Sequence, residues 1–222
     1  MKKRKNIITV AIDSPAAAGA GTQAKLIAKH YNLLQLDTGR IYRLIGQMRL
    51  DSPSKFKYNL VRNKMKKLKI SDLKKKSLLS DKVAVSASII AKDKKIRDIV
   101  YKFQQKCAYN PPKKYKGSVL DGRDITSVIL KDAMFKFFIT ANVKTRAQRR
   151  FKEYKNQNKK ISFKDVLKSL KNRDKSDRER KHGPLKKTKD SILLNSTKLS
   201  RKQCFLKIKT IMDKKLQLNG SI

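Results

Sequence analysis

Short apolar runs alternate with helical patterns along most of the chain. Five of these runs predict strands that are buried on both faces: Ile7–Ile12, Leu33–Leu36, Ser118–Leu120, Phe135–Ile139 and Ile192–Leu194. The gaps carry helical periodicity at Gln23–Tyr31, Ile41–Leu50, Val83–Ala108, Val143–Asn156, Phe163–Lys175 and Gln203–Leu218. Strands that alternate with helices predict an α/β fold with a five-stranded parallel sheet. Ligands of such sheets bind beyond the carboxyl ends of the strands.

Two charged segments interrupt this alternation. Asp51–Asp81 is rich in Lys and Ser with isolated leucines, and it predicts a small, loosely packed insert. Lys171–Thr188 is densely charged and ends near Gly183 and Pro184, which predicts a mobile surface segment of the kind that acts as a lid. The tail from Lys214 is expected to fray.

Composition adds an extreme positive charge to this picture. The chain has 222 residues, enough for one core domain with a smaller inserted segment, and a formal net charge of +41. A nucleic acid or an acidic membrane surface is one interpretation of this charge, and lysines on solvated faces are the other. The lysines are scattered, aromatic residues make up 7%, and Trp is absent. These facts favour lysines on solvated faces, because proteins that bind single-stranded nucleic acid need aromatic residues interleaved with the basic ones. They do not exclude a nucleic acid as a partner.

Arginine is scarce and concentrated. Only 14 of the 58 basic residues are Arg, and ten of them lie in the segments discussed below: Arg40, Arg43, Arg97, Arg123, Arg146, Arg149, Arg150, Arg173, Arg178 and Arg180. A chain that otherwise uses Lys for charge keeps Arg where a planar fork is needed to bind phosphate or carboxylate. This distribution predicts an anion site.

Other residue types give mainly negative expectations. Cys107 and Cys204 lack a pairing pattern and are expected to be small buried apolar residues. His30 and His182 are isolated and receive no catalytic or metal role. The basic N-terminus resembles the start of a signal peptide, but its apolar run stops at Asp13, too early for secretion, and no run reaches membrane-spanning length. We therefore expect a cytoplasmic protein without a membrane partner, and a monomer is the simpler expectation.

The first motif is NIITVAIDSPAAAGAGT, from Asn6 to Thr22. A strand, a glycine-bearing turn and a helix start form the usual context of a phosphate-binding loop. The pattern G-x-x-x-x-G-K-[ST] is incomplete, however. Ser14 takes the place of the first Gly, whose backbone would need unusual dihedral angles, and Ala20 takes the place of the Lys.

Two further motifs follow predicted strands. LDTGRIYR, Leu36–Arg43, contains a turn and a helix start that would place Arg43 over the first helical turn, although a routine capped joint also explains it. VLDGRDITSVILKDA brings Asp121, Arg123 and Asp124 to the end of a strand. These side chains could hold a metal-bound water, a phosphate and a base amino group. The alternative is an Asp-Gly turn with a local salt bridge.

A last charged motif is RDKSDRERKHGPL, Arg173–Leu185. On a helix, Arg173 and Asp177 are spaced i,i+4, and Asp177 and Arg180 are spaced i,i+3. A solvated helix with internal ion pairs would explain this spacing. A lid whose arginines close over transferring phosphates would explain it as well.

The segments IDSPAAAGAGT, LDTGRIYR, DGRDITS, RDKSDRERKHGPL and ILLNSTKLS occur in an order and at separations that resemble the bacterial cytidylate kinase family. That family belongs to the P-loop nucleoside-monophosphate kinases, and the resemblance runs from about Asn6 to Met212. It implies a three-layer P-loop kinase fold in which residues 1–222 form a single kinase domain. The core would comprise about 6–50, 83–150 and 185–215, the monophosphate-binding insert about 51–82, and the Arg-rich lid about 151–184.

The resemblance also implies that ATP, with Mg²⁺, donates its γ-phosphate to CMP or dCMP. The implied CMP-binding residues are Thr38, Tyr42, Arg43, Ser88, Arg97, Arg123, Asp124, Arg173, Asp177 and Arg180. The implied ATP-binding residues are Ser14, Pro15, Ala16, Ala17, Ala18, Gly19, Ala20, Gly21, Thr22 and Arg149. Arg123, Asp121, Arg173 and Arg180 would be catalytic, and Asp121 would hold the metal through water.

The chain departs from the family pattern chiefly at Ala20. Loss of one well-placed cation from such a site costs about 3 kcal/mol, or roughly a hundredfold in rate. Thr126 and Ser127 replace small turn residues, which is a milder change. Neighbouring lysines such as Lys25 could supply part of the missing charge, but the sequence does not place them. An impaired CMP kinase and a catalytically inactive nucleotide- or polyanion-binding protein on the same fold therefore both remain.

Overall fold

A computed structural model describes residues 6–218, and its centre is a parallel sheet of five strands. The strands are β1 (Ile8–Asp13), β2 (Leu33–Asp37), β3 (Gly117–Gly122), β4 (Phe135–Thr140) and β5 (Ile192–Asn195). They lie side by side in the order β2-β3-β1-β4-β5, and every neighbouring pair is parallel. The predicted five-stranded α/β fold is confirmed.

Helices cover both faces of this sheet and complete three layers. They are α1 (Ala20–Tyr31), α2 (Thr38–Asp51), α3 (Tyr58–Lys67), α4 (Asp81–Ile90), α5 (Lys94–Tyr109), α6 (Val143–Lys155), α7 (Phe163–Glu179) and α8 (Arg201–Leu218). Short 3₁₀ turns occupy Ile70–Lys74 and Lys76–Leu79, and a π-helical turn occupies Ile125–Ile129. No helix within residues 6–218 is long and apolar enough to cross a membrane.

The core divides between the two faces because successive strand residues point in opposite directions. Ala11 of β1 and Leu120 of β3 contribute to one buried cluster, which also holds residues of α2 and α5. Ile12 and Val119, their neighbours in sequence, contribute to the other cluster with residues of α1 and α8. The free thiols of Cys107 and Cys204 are buried, as expected.

The continuous helix predicted over Val83–Ala108 was wrong. The structure ends α4 at Ile90 and starts α5 at Lys94. Asp93 caps the second helix, because its carboxylate accepts a hydrogen bond from the N–H of Ile96 at 3.1 Å. An aspartate before an apolar pattern is a helix start signal, and it outweighs the periodicity that spans the break.

Loose packing of the 51–82 segment was also wrong. This segment contains α3, and Val61, Leu73 and Leu78 are buried in the same cluster as α2. Their spacing among lysines has no single period, so the pattern concealed them. The predicted fraying from Lys214 was wrong as far as Leu218, where α8 ends. Residues 219–222 and the basic residues 1–5 lie outside the described residues.

The carboxyl ends of the three adjacent strands β2, β3 and β1 bring polar residues together. The register sets Asp37 opposite Asp121 and Asp13 opposite Gly122. The start of α1 and the turns that follow β2 and β3 meet at this edge. The sheet therefore places three of the sequence motifs side by side, as ligand sites of parallel sheets require.

Candidate functional site

The turn between β1 and α1 has the backbone of an anion-binding loop. Ala17 and Gly19 both adopt positive φ, of 60° and 94°. Among residues 6–218, no side chain caps the first N–H groups of α1. N–H groups in such turns converge on an anion, and the helix dipole adds attraction. Unusual dihedral angles were expected at Ser14, and this was wrong: the positive φ values fall elsewhere, and the Ser14 N–H donates to the Gly122 carbonyl at 3.2 Å.

Side chains from outside the loop hold its carbonyl groups. Arg146 on α6 donates to the carbonyl of Ala16 at 3.0 Å, and the Ser196 hydroxyl after β5 donates to the carbonyl of Ala18 at 3.1 Å. Arg149 in turn donates to the hydroxyl and the carbonyl of Ser196, at 3.1 and 2.6 Å. These bonds fix the loop from α6 and from the loop after β5, without using the N–H groups at the start of α1.

The side chain at the first position of α1 is apolar and buried. Ala20 is 5% exposed and belongs to the apolar cluster that contains Ala24 and Ile27. A phosphate-binding loop usually carries a lysine here that reaches the β- and γ-phosphates. The chain thus retains the backbone of the loop without its cation.

A pair of carboxylates lies beside the loop. Burial, and next to it the charge of Asp37, raises the pKa of Asp121 well above its usual range. The Oδ1 atom of Asp121 is buried and has no hydrogen-bond partner in the described chain. Its Oδ2 atom faces α1, because a β-carbon added to Gly21 would lie 3.5 Å from it.

This arrangement fits a magnesium ion held through water. Mg²⁺ keeps several waters and takes one or two carboxylates together with substrate phosphates. Within residues 6–218, no group of three or more His, Cys, Asp or Glu side chains could hold a metal by itself. A cation beside Asp121 would therefore take most of its ligands from water and phosphate.

Four guanidinium groups from four parts of the fold lie close enough to repel one another. They form the arginine cluster: Arg43 on α2, Arg123 after β3, Arg150 on α6 and Arg173 on α7. Burial, followed by repulsion from the other three, lowers the pKa of Arg173 to about 10. The Nε atom of Arg173 is buried and has no hydrogen-bond partner among the residues described. Gathered like charges with an unused donor are suited to a bound anion such as phosphate.

Asp177 neutralises one side of the arginine cluster. Its carboxylate accepts a hydrogen bond from Arg123 Nε at 2.7 Å and lies 4.0 Å from both Arg173 and Arg180. Burial opposes its ionisation, but Arg123 and Arg173 hold the pKa of Asp177 below its usual range. Asp177 is 7% exposed, so the alternative was wrong in expecting a solvated helix face, although both ion pairs predicted from the spacing are present at 4.0 Å.

A second group of charges is buried next to Asp177. Arg97 on α5 forms an ion pair with Asp124, and Arg180 lies 3.5 Å from the other oxygen of that carboxylate. Burial raises the pKa of Asp124, and the two arginines oppose this rise. The Arg97 guanidinium also lies over the Tyr42 ring, 5.9 Å from its centroid. A carboxylate beside guanidinium groups offers an acceptor and donors to the polar edge of a base.

The segment after α7 covers this ion pair. Gly183 has a φ of +60°, and Arg180 Nε donates to its carbonyl at 2.6 Å. A β-carbon at Gly183 would overlap the Arg97 guanidinium and would lie 2.5 Å from Asp124 Oδ2. A side chain here would strain the backbone and would displace the buried ion pair.

The remaining candidate residues lie around these groups. The Thr38 hydroxyl is engaged, because it donates to the Asp121 carbonyl at 2.8 Å. Pro15 is buried beneath the loop, and Thr22 is exposed in the first turn of α1. Ser88 on α4 is half-buried and lies two helical turns after Asp81, which accepts a hydrogen bond from Tyr154 of α6 at 3.2 Å.

Two carboxylates link Arg97, Arg123 and Arg180 into one series of ion pairs. Asp177 contacts both Arg123 and Arg180. Arg180 in turn lies beside Asp124, which pairs with Arg97. Arg43 joins at the other end by its charge interaction with Arg173. Arg149 lies away from this series of ion pairs and next to the loop of residues 14–22, where it binds Ser196.

Sequence reasoning missed several positioning residues. Asp174 accepts from Arg146 at 2.6 Å, so one arginine joins α7 to the carbonyl of Ala16. Arg150 was counted among the arginines of the site segments but was given no ligand. In the sequence, Asp174 cannot be told apart from the other acids of a charged helix. Its role is visible only in the structure, where it is 7% exposed.

Asp13 was also missed. Its carboxylate accepts from the N–H groups of Ile125 and Thr126 at 2.7 and 2.8 Å and from the Thr126 hydroxyl at 2.5 Å. Burial raises the pKa of Asp13 to about 6. These bonds fix the π-helical turn directly after Asp124. An acid that ends a strand was a usable signal, but the sequence gives no sign of its partners.

Comparisons with known proteins agree with this geometry. The sequence model of the family described as cytidylate kinase matches residues 10–214. A cytidylate kinase of Clostridium botulinum is 36% identical over 222 residues, which cover 93% of this chain and 98% of that protein. A cytidylate kinase of Bartonella bacilliformis is 35% identical over 224 residues and covers 98% of this chain and 100% of its own. The crystal structure of an uncharacterized protein from Eubacterium ventriosum matches with a TM-score of 0.55 at 16% identity, over 93% of this chain and 98% of that one, which supports the fold.

Proposed function

The chain belongs to the cytidylate kinase family, and we propose that it transfers the γ-phosphate of ATP to CMP or dCMP, giving ADP and CDP or dCDP. The observation that carries this proposal is the connection between the arginine cluster and the buried Arg97–Asp124 pair through Asp177 and Arg180. One end has excess positive charge for a phosphate, and the other has matched donors and acceptors for a base.

In this proposal the base end reads cytosine. Cytosine presents an amino donor that the Asp124 carboxylate accepts, and ring acceptors that Arg97 serves. Uracil has a carbonyl group in place of that amino group and would face the carboxylate with an acceptor. Tyr42 packs beside Arg97, and Ser88 completes the base site from α4.

The phosphate of CMP occupies the arginine cluster. Arg43, Arg123 and Arg173 bind it, Thr38 lies beside it at the start of α2, and Asp177 receives the sugar. Arg180 contacts both Asp124 and Asp177, so it spans the base and phosphate ends. The unused Nε donor of Arg173 is the group that phosphate would satisfy.

ATP approaches from the loop of residues 14–22, with Arg149 beside it. An oxygen of the CMP phosphate forms a bond to the γ-phosphorus while the bond from that phosphorus to the bridging β–γ oxygen breaks, and ADP leaves with the electron pair. Alignment and charge neutralisation account for most of the catalysis of such a transfer. Mg²⁺, when bound, neutralises charge on the β- and γ-phosphates. Asp121 would hold it through water.

We also assign the parts of the single kinase domain from these positions. Residues 51–82 form the monophosphate-binding insert, and residues 151–184 form the lid, with the core made of 6–50, 83–150 and 185–215. The lid assignment rests on the contacts that Asp177 and Arg180 make with groups after β3. Closure of this segment would exclude water from the transferring phosphates.

The buried, apolar Ala20 favours a second candidate, a nucleotide- or polyanion-binding protein without activity. A coupled assay with CMP, ATP and Mg²⁺ at high enzyme concentration separates the two, with UMP as the comparison substrate. We expect CDP to form, and to form faster than UDP. Tight CMP binding without any CDP would refute the kinase, and tight RNA binding at physiological salt would then support the second candidate.

A further inference from the structure

The loop lacks its lysine at position 20, and another lysine lies about one turn further along α1. Lys25 follows Gly21 by four residues, so the two lie on the same side of the helix. Gly21 is the residue of α1 that faces Asp121, with 3.5 Å between its added β-carbon and Oδ2. Because Gly21 has no side chain, none stands there between Lys25 and this carboxylate.

The length of a lysine suits this gap. Helical side chains lean toward the N-terminus of their helix and lie over the preceding turn. A turn rises about 5.4 Å, which is close to the length of an extended lysine stem. The Lys25 ammonium can therefore reach the level of Gly21, where the loop ends and a triphosphate would lie. Burial and the charge of Asp37 raise the pKa of Asp121, and the charge of Lys25 is among those that oppose this rise.

Lys25 is also available. It is exposed, and no hydrogen bond or ion pair joins it to another described residue. The arginines next to the loop are engaged, since Arg146 binds Ala16 and Asp174 and Arg149 binds Ser196. Lys29 lies a further turn from the loop. An exposed, unpaired ammonium is the kind of group that a negatively charged ligand can bind.

We propose that Lys25 replaces the lysine absent from position 20 and contacts the β- and γ-phosphates of ATP during the transfer. This inference rests on the proposed function. Lys25 acts only through its charge, and no proton is transferred through it. Its charge offsets the negative charge that develops on ADP as the bond to the γ-phosphorus breaks.

A double-mutant cycle tests the replacement. Lys25→Ala is made in the native chain and in the Ala20→Lys variant, with Lys29→Ala as the matched control on the same helix. We expect Lys25→Ala to lower kcat by about a hundredfold in the native chain and by less than about threefold beside Ala20→Lys. Lys25→Arg should restore part of the rate, and Lys29→Ala should change nothing.

The outcomes separate this inference from the proposed function. If Lys25→Ala and Lys29→Ala leave an active enzyme equally active, Lys25 is not the missing cation. If Lys25→Ala lowers kcat equally in the native chain and in the Ala20→Lys variant, and also lowers the melting temperature, then Lys25 only offsets the charge of Asp121. If the native chain makes no CDP, the proposed function fails, and the ATP dissociation constant then decides about Lys25. A rise of about tenfold in the ATP dissociation constant, seen for Lys25→Ala and not for Lys29→Ala, would support the contact between Lys25 and the phosphates. An unchanged dissociation constant would overturn it.

Discussion

Replacing Arg173 with methionine should make the ligand-free protein more stable and remove most of its activity. Burial and repulsion lower the pKa of this guanidinium to about 10. A base with a lower pKa in the folded chain than in the unfolded chain destabilises the fold at every pH below that value, so the cost is present at neutral pH. The shift corresponds to at most ~3 kcal/mol. Because the side chain is 34% exposed, solvent screening reduces this cost to about 1 kcal/mol.

Methionine keeps much of the side-chain length and removes the charge. Asp177 retains its hydrogen bond from Arg123 at 2.7 Å, so no carboxylate is left unpaired. A gain of about 1 kcal/mol raises the melting temperature of a domain of this size by roughly 2–4 °C. In steady-state assays, kcat/KM for CMP should fall about a hundredfold or more. CMP, which should raise the melting temperature of the native protein, should raise that of the variant much less.

Arg178→Met is the matched control. Arg178 lies on the same helix, and its side chain is exposed, so this variant should leave both stability and activity unchanged. The reasoning is refuted if Arg173→Met unfolds at a lower temperature than the native protein and still binds CMP normally. Arg173 would then be a structural partner of Asp177 and would not be held ready for an anion.

Three further predictions concern the acids and the glycine of the site. Burial raises the pKa of Asp13 to about 6, so ionisation there should reduce stability by up to ~3 kcal/mol between about pH 4 and pH 6; Asp13→Asn should flatten the melting curve against pH in that window, and parallel curves would contradict the assignment. Gly183→Ala should raise KM for CMP at least about tenfold, because its β-carbon overlaps Arg97; an unchanged KM would show that the segment lies elsewhere when CMP binds. Asp124→Asn should shift the preference from CMP toward UMP by about tenfold or more, measured as the ratio of kcat/KM values. It should also destabilise the fold, because two buried arginines lose a counter-charge. An unchanged ratio would show that Asp124 does not recognise the base.

The sheet could be read from the sequence because the strands of a parallel sheet are continuous apolar runs. Burial on both faces was wrong for β5, because Ile192 and Leu193 are exposed and only Leu194 is buried. All five runs formed strands within a residue or two of the predicted bounds. The errors arose where one local signal competed with another. Periodicity continued through residues 91–93 although Asp93 caps a new helix. Leu73 and Leu78 are buried among lysines with no regular spacing, so only the tertiary structure identifies them.

The site was partly readable because arginine is rare in this chain. Scarcity marked Arg123 and Arg173 as candidates, but it could not identify their partners. Spacing suggested that Asp177 pairs within its own helix, whereas its shortest contact is with Arg123, which follows β3. Asp174 is buried by its contact with α6, and nothing in its neighbourhood along the chain announces that contact.

The shared contacts of Asp177 limit how this protein can be re-engineered. A single carboxylate contacts Arg123, beside the phosphate end, and Arg180, beside the base end. A substitution that moves Arg180 to accept another base also alters the balance of charge at Arg123. In the proposed kinase, substrate choice and turnover are therefore coupled. Selection for one of them will change the other unless a compensating substitution is made near Asp177.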